Sequence, residues 1–350
     1  MGKQGKKRRL CAAVLCMCML TAGGFVKTAA DNLPELEPGT KLIPVGKAVG
    51  IKLFSDGVLV VGLSGVETQD GQQSPGRACG LKAGDVITHI NDSEVDTIEQ
   101  VQEVLRRQGE SKLSIQALRS DKALQLTVDA VENKDGVRQL GVWLRDSMAG
   151  IGTVTFYDPV SGMFAALGHG INDTDTATLM PLESGSIMPA RVAEVKKGLP
   201  GQPGELRGEF VLTEDLGELY ANTEKGVFGT AGKLAVPPGA RPMETAKRSE
   251  VKNGKATILS NVRGNEVEEF EVELVCVDHG SNGTRNMLLK VTDPELLALT
   301  GGIVQGMSGS PILQNGRIVG AVTHVLVNDP TRGYGIFIEN MLEAAGGGNG

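Results

Sequence analysis

Aromatic side chains make up only 3% of the 350 residues, and histidine occurs four times. Positive charge is short too: a formal net charge of −7 supplies none of the positive field that nucleic acid requires. The first 27 residues hold six Lys/Arg and no acid, so the remainder carries 29 basic and 42 acidic residues, a net −13. Cysteine is scarce as well. Cys11, Cys16 and Cys18 crowd the N-terminus, leaving Cys79 and Cys276 far apart, with no CxxC and no Cys/His ligand spacing. The acidic balance argues against nucleic-acid partners, and no metal or organic cofactor is expected.

Charge is absent from Leu10 to Val26, directly after Lys3, Lys6, Lys7, Arg8 and Arg9. A basic cluster followed by an apolar run is the order of a secretory signal or a signal-anchor helix, and seventeen residues sit at the short edge of a bilayer span. A buried core helix would show the same apolarity but would not need the basic flank. Residues 1–30 are accordingly expected to be a signal peptide or anchor that places the rest outside the cytoplasm, and 31–44 an extended linker.

What the chain has in excess is glycine, 48 residues scattered without a period between Val/Ile/Leu runs. That pattern predicts many short strands and tight turns, a mainly β protein. Two β-type runs, 50–54 and 57–62, precede a polar turn at 67–73. Ile98 to Gly109 places Ile98, Val101, Val104 and Leu105 on one helical face, and strands follow at 113–118 and 123–128. The stretch SPGRACGLKAGDVI, Ser74 to Ile87, resembles the bacterial PDZ signature, and the likeness extends over 45–131. It implies a module that adds a peptide as a strand at a sheet edge. It also implies a carboxylate-binding loop at Gly46, Val49, Gly50 and Ile51, although a plain turn before a strand has the same composition. Beyond the polar stretch 132–138, short β-runs between Gly/Pro turns predict a barrel or sandwich.

Near the C-terminus, Gly306-Met307-Ser308-Gly309-Ser310-Pro311 concentrates more flexibility than a hairpin requires. A serine nucleophile needs a base, and it needs backbone N–H groups aimed at the developing oxyanion in a loop without bulk. A Gly/Ser hairpin turn is the bland alternative. Of the histidines, His89 falls in a predicted strand, His279 in a polar turn, and His324 on the strand after the serine loop. His169 lies between two glycines at the end of an apolar strand, where an imidazole can project into a cleft.

The hexapeptide resembles the nucleophile loop of trypsin-like serine peptidases, with Ser310 in place of the second glycine. On that resemblance Ser308 is the nucleophile, Gly306 and Ser308 form the oxyanion hole, and His169 is the general base. GIGTVTFYDP (150–159), ALGHGI (166–171 and its flank), KVTDPELLALTGGIVQGMSGSPI (290–312) and GAVTHVLVNDPTRGYGIFIENML (320–342) resemble the stage IV sporulation serine peptidases of endospore-forming bacteria. The resemblance implies a PDZ domain followed by a trypsin-like double β-barrel over 132–350. It implies an enzyme that cleaves itself near its N-terminus. It also implies cleavage of a membrane-bound regulator between mother cell and forespore, which leads to activation of a late sigma factor. The same resemblance puts the acid at Asp293, 15 residues before Ser308, whereas Asp215 has the position more usual for trypsin-like enzymes. Helix capping before Pro294-Glu295 is the alternative role for Asp293. The rival from another class is an inactive peptidase fold used as a PDZ scaffold for membrane complexes.

Overall fold

In a computed structural model, residues 36–107, 112–120, 122–234 and 236–346 are described. The expected signal or anchor helix, residues 1–30, lies outside the described residues. Among the described residues no helix is long and apolar enough to cross a membrane.

Strict alternation dictates the C-terminal barrel. In Glu266–Val277 the side chains of Phe270, Val272 and Leu274 are buried while Glu269, Glu271 and Glu273 face solvent, the two-residue period of a strand with one wet face. Each buried apolar side chain of this kind contributes about 1.5–3 kcal/mol. Gly254–Arg263, Glu266–Val277, Met287–Val291, Arg332–Phe337, Arg317–Val325 and Pro311–Gln314 close into a barrel in that order. Ile258, Val272, Leu289, Met307 and Phe337 fill it.

A second ring forms from residues nearer the N-terminus. Ala48–Leu63 pairs with Ser184–Lys196, which pairs with Gly217–Thr223, then Gly226–Ala231, Met163–Ala166 and Val142–Tyr157. Val142–Tyr157 returns to Ala48–Leu63 and closes the ring. Val49, Ile51, Val154, Phe164 and Ile187 are among its buried residues.

Between these ring strands sits a third unit with its own core of Val60, Ile87, Ile90, Val101, Leu105 and Ile115. It contains the strand Val86–Ile90, and the helix Ile98–Arg107 and the strands Lys112–Arg119 and Lys122–Asp129 lie within a residue or two of the sequence-based bounds. Its buried Asp85 accepts two bonds from Arg119, at 2.6 and 2.7 Å, and one from the Lys82 N–H, so the charge inside the fold is fully partnered.

The layout of strands and units differs from the sequence-based reading in three places. The runs 50–54 and 57–62 are one strand, Ala48–Leu63, because Ser55-Asp56-Gly57 is used as an irregularity and not as a turn; Gly57 takes φ +84 there. The first half of that strand belongs to the ring and the second half to the PDZ-like unit, so this unit is inserted within the barrel strands instead of preceding them. Within the expected linker, Lys41–Pro44 is a strand paired with 156–157 and 243–244.

The carboxylate-loop assignment is corrected by the same geometry. Val49, Gly50 and Ile51 lie in the barrel ladder opposite Pro189, Met188 and Ile187, so their backbone groups are committed to strand pairing and form no anion nest. Gly46, at φ +69, packs against Leu259 of the other barrel, and a Cβ there would lie 2.7 Å from the Leu259 Cβ.

Candidate active site

The barrels meet along a cleft of about 700 Å³. Its walls include His169 and Leu167 from one barrel and Gly306, Ser308, Thr323 and His324 from the other.

His169 owes its position to a two-residue left-handed turn. The apolar strand Met163–Ala166 ends at Leu167 (φ 69) and Gly168 (φ 69), which reverse the chain and present the imidazole. A leucine in this region is strained, and such strain is tolerated where packing over-determines it. A Cβ on Gly168 would lie 2.9 Å from Ile336 Cγ2 and 3.1 Å from Thr323 Cγ2, so only glycine lets the turn close onto the opposite barrel. His169 Nδ1 is 2.8 Å from its own neighbour's carbonyl oxygen, that of Gly170. An N–H at Nδ1 donating to that oxygen fixes the tautomer that leaves Nε2 as a proton acceptor.

Ser308 sits in a loop held from both sides. The Thr153 hydroxyl, from the first barrel, donates to the Gly306 carbonyl at 2.8 Å, and the Thr153 N–H donates to the Ser308 carbonyl at 3.0 Å. Met307 is fully buried in the second barrel and anchors the loop from behind. With these carbonyls engaged, the N–H groups of Gly306 and Ser308 have no protein acceptor among the described residues. The Ser308 hydroxyl donates to the Thr323 carbonyl at 2.6 Å. It must turn away from that oxygen to pass its proton to an imidazole. Ser310, by contrast, is fully buried and its hydroxyl donates to Ser260 at 3.0 Å, which leaves one serine of the loop facing the cleft.

His324 follows Thr323, and its ring centroid is 5.1 Å from that of His169. Its Nδ1 is buried without a hydrogen-bond partner among the described residues. Burial lowers the pKa of His169, with the Gly170 bond opposing the shift. Burial, then His169, then Arg285 bring that of His324 down to about 4. Both rings are therefore neutral at neutral pH, the form in which His169 accepts a proton. Because His169 titrates below the ordinary 6.5, its base form persists to more acid pH, and activity is lost only as pH falls through the lowered value. The expected acid limb of a pH–rate profile thus lies below 6.5. A limb at or above the ordinary histidine value would contradict this environment. The same sign makes the fold less stable as pH drops below 6.5, since the unfolded chain then binds protons that the folded one refuses.

The two candidate acids lie elsewhere. Asp293 caps the helix Pro294–Thr300, accepting from the Glu295 and Leu296 N–H groups at 2.9 and 3.0 Å, and its other oxygen accepts from Glu271 N–H at 3.3 Å. Asp215 accepts from the Ser186 hydroxyl at 2.7 Å. Neither lines the cleft, and no carboxylate among the described residues does. In this arrangement the Gly170 carbonyl orients the imidazole. Asp293→Asn, which caps equally well, is expected to keep activity, whereas Asp293→Ala costs about 1 kcal/mol of stability. Thermal unfolding and cleavage rate measured together check both halves, and an inactive but fully folded Asp293→Asn protein would return the carboxylate to the proton relay.

His89 and His279 stand outside the cleft, His89 beside the Thr88 hydroxyl and His279 at 3.0 Å from the Val251 carbonyl. A connection that no sequence pattern exposes joins Arg145, which lies opposite Leu59 of the inserted unit, to the segment after His169. Arg145 pairs with the buried Asp173 and with Asp175 at 2.9 Å. Asp173 in turn accepts from the Asp175 and Thr176 N–H groups and orders the segment after His169.

A PDZ domain model matches residues 71–119. Among solved structures, the PDZ domain of an SdrC-like protein from Listeria monocytogenes is 24% identical, covering 25% of this chain and 87% of that one, with a TM-score of 0.21. No curated protein matches at a significant level. Residues 136–342, more than half of the chain and the source of His169, Ser308 and His324, match the model described as SpoIVB peptidase S55, and the chain belongs to that serine peptidase family.

Proposed function

We propose that this chain is an exported sporulation endopeptidase in which Ser308 attacks the scissile carbonyl and His169 carries the proton. The observation that supports this reading is a single cleft shared by the Ser308 hydroxyl and the His169 imidazole, supplied by different barrels, beside two amides free to receive an oxyanion. Proton balance is simple. His169 Nε2 takes the hydroxyl proton as the Oγ–carbon bond forms, then gives it to the leaving amine as the peptide bond breaks, and water repeats the cycle on the acyl-enzyme. The Gly306 and Ser308 amides offset the charge on the carbonyl oxygen.

The proposed substrates are the chain's own N-terminal region and a membrane-bound regulator whose cleavage leads to late sigma-factor activation. The proposed site of action is the space between mother cell and forespore, with membrane association through residues 1–30. The inserted PDZ-like unit binds peptide and regulates, and Arg145, paired across the ladder with Leu59 of that unit and through its side chain with Asp173, gives a physical route to the His169 loop.

One observation favours the scaffold alternative. The Ser308 hydroxyl is donated to the Thr323 carbonyl, away from any base. Sequencing the N-terminus of the purified protein beside that of a Ser308→Ala variant separates the two readings. A shortened N-terminus in the first and an intact one in the second is the expected result; identical termini would remove self-cleavage from the account.

A further inference from the structure

Cleft composition restricts what can enter. Among the described residues no Asp or Glu lines it, while Ile303, Val304, Val325, Leu326 and Val327 supply an apolar stretch in the same cleft as Ser308. A lysine or arginine side chain placed there would be desolvated without a counter-charge. Among the described lining residues the one side chain charged at neutral pH is a cation, Arg285. Arg285 is exposed, its guanidinium lies 5.4 Å from the Tyr334 ring centroid, and Tyr334 lines the cleft too. Stacking on the ring limits the arginine's freedom without using its donors. No carboxylate pairs with Arg285 among the described residues, in a chain with 42 acidic residues where most arginines described have such a partner. Arg285 is also near enough to bear on the titration of His324, so its charge is felt inside the cleft.

We infer that this cleft selects peptides presenting an uncharged apolar side chain to the 303–304 and 325–327 walls and a carboxylate to Arg285 at the mouth. The inference rests on the peptidase reading and specifies the substrate class for that site. Planar guanidinium suits bidentate pairing with an acidic side chain, so Glu or Asp a few residues from the scissile bond is the favoured neighbour. The apolar wall sets which residue enters, and the arginine sets which sequence context is held.

Two measurements test this with one set of synthetic peptides, varied as Leu or Lys at one position and Glu, Gln or Lys at its neighbours. The first is binding to the Ser308→Ala protein, which needs no turnover. The second is mass-spectrometric mapping of cleavage by the wild-type chain. Leu–Glu peptides are expected to bind and cleave best. Lys at the pocket position is expected to weaken binding about 100-fold. The Glu-over-Gln preference, about 5-fold at low salt and smaller at high salt, is expected to vanish in Arg285→Ala and to turn into a preference for Lys in Arg285→Glu. A Glu preference that survives Arg285→Glu, or Lys accepted as readily as Leu, would overturn the inference. Binding in the expected order with no cleavage would sink the peptidase reading and leave the specificity standing. Cleavage without either preference would do the reverse.

Discussion

His169→Ala lowers kcat/KM by about four orders of magnitude or more, and Ser308→Ala does the same, without a further loss when both are replaced. The equality follows from the geometry. In the proposed mechanism the imidazole acts only through Ser308, taking the proton of its hydroxyl and passing it to the leaving amine. That hydroxyl at rest is donated to the Thr323 carbonyl at 2.6 Å, so without a base it has no route to ionise. Any residual rate would come from the Gly306 and Ser308 amides, which neither substitution removes. Ser310→Ala is the control: its buried hydroxyl bonds Ser260 at 3.0 Å, and its loss costs about 1 kcal/mol of stability with cleavage retained. Single-turnover rates on one peptide substrate give all four values.

The second large effect is expected at Gly309, away from any reacting atom. Its φ is +98, and a Cβ there would lie 2.6 Å from the Leu167 N and in contact with the Thr153 carbonyl, both backbone atoms of the opposite barrel. Backbone cannot swing aside as a long side chain can. Gly309→Ala therefore has to push apart the two segments that carry Ser308 and His169. Left-handed strain and overpacking together are expected to cost about 3–5 kcal/mol, and cleavage should fall at least about 100-fold even below the unfolding temperature. Gly316 provides the comparison, since it also has positive φ (+74) but would place its Cβ in open space. Gly316→Ala should cost only about 1 kcal/mol and leave cleavage intact. A Gly309→Ala protein with normal activity would mean that the close approach of the barrels does not position the pair.

The parts of the site legible in the sequence are those that local chemistry encodes. Glycines on both sides of His169 and Ser308 are readable because a reversal of the chain and a loop without bulk need them wherever the fold puts them. The alternation in Glu266–Val277 is readable for the same reason. What escaped depends on closure of the rings. The strand Ala48–Leu63 serves two units at once, and a linear pattern cannot show that its halves pair with different neighbours, so Val49 to Ile51 looked like a ligand loop. Asp293 carries an Asp-Pro-Glu pattern that serves a helix cap as well as a catalytic acid, and the pattern alone does not show that the carboxylate accepts from the Glu295 and Leu296 N–H groups. The 5.1 Å approach of His324 to His169 and the pairing of Arg145 with Asp173 join residues distant in sequence, and no motif marks either.

The account's central claim is that residues 169 and 308, brought together by two barrels, make one hydroxyl reactive. Incubation with a fluorophosphonate probe, followed by peptide mapping, tests it most directly because the probe reacts only with an activated serine. The account predicts a label on Ser308 that disappears in His169→Ala and remains in Ser310→Ala. An unlabelled Ser308 in the folded wild-type chain, or a label that forms at an unchanged rate in His169→Ala, would contradict it.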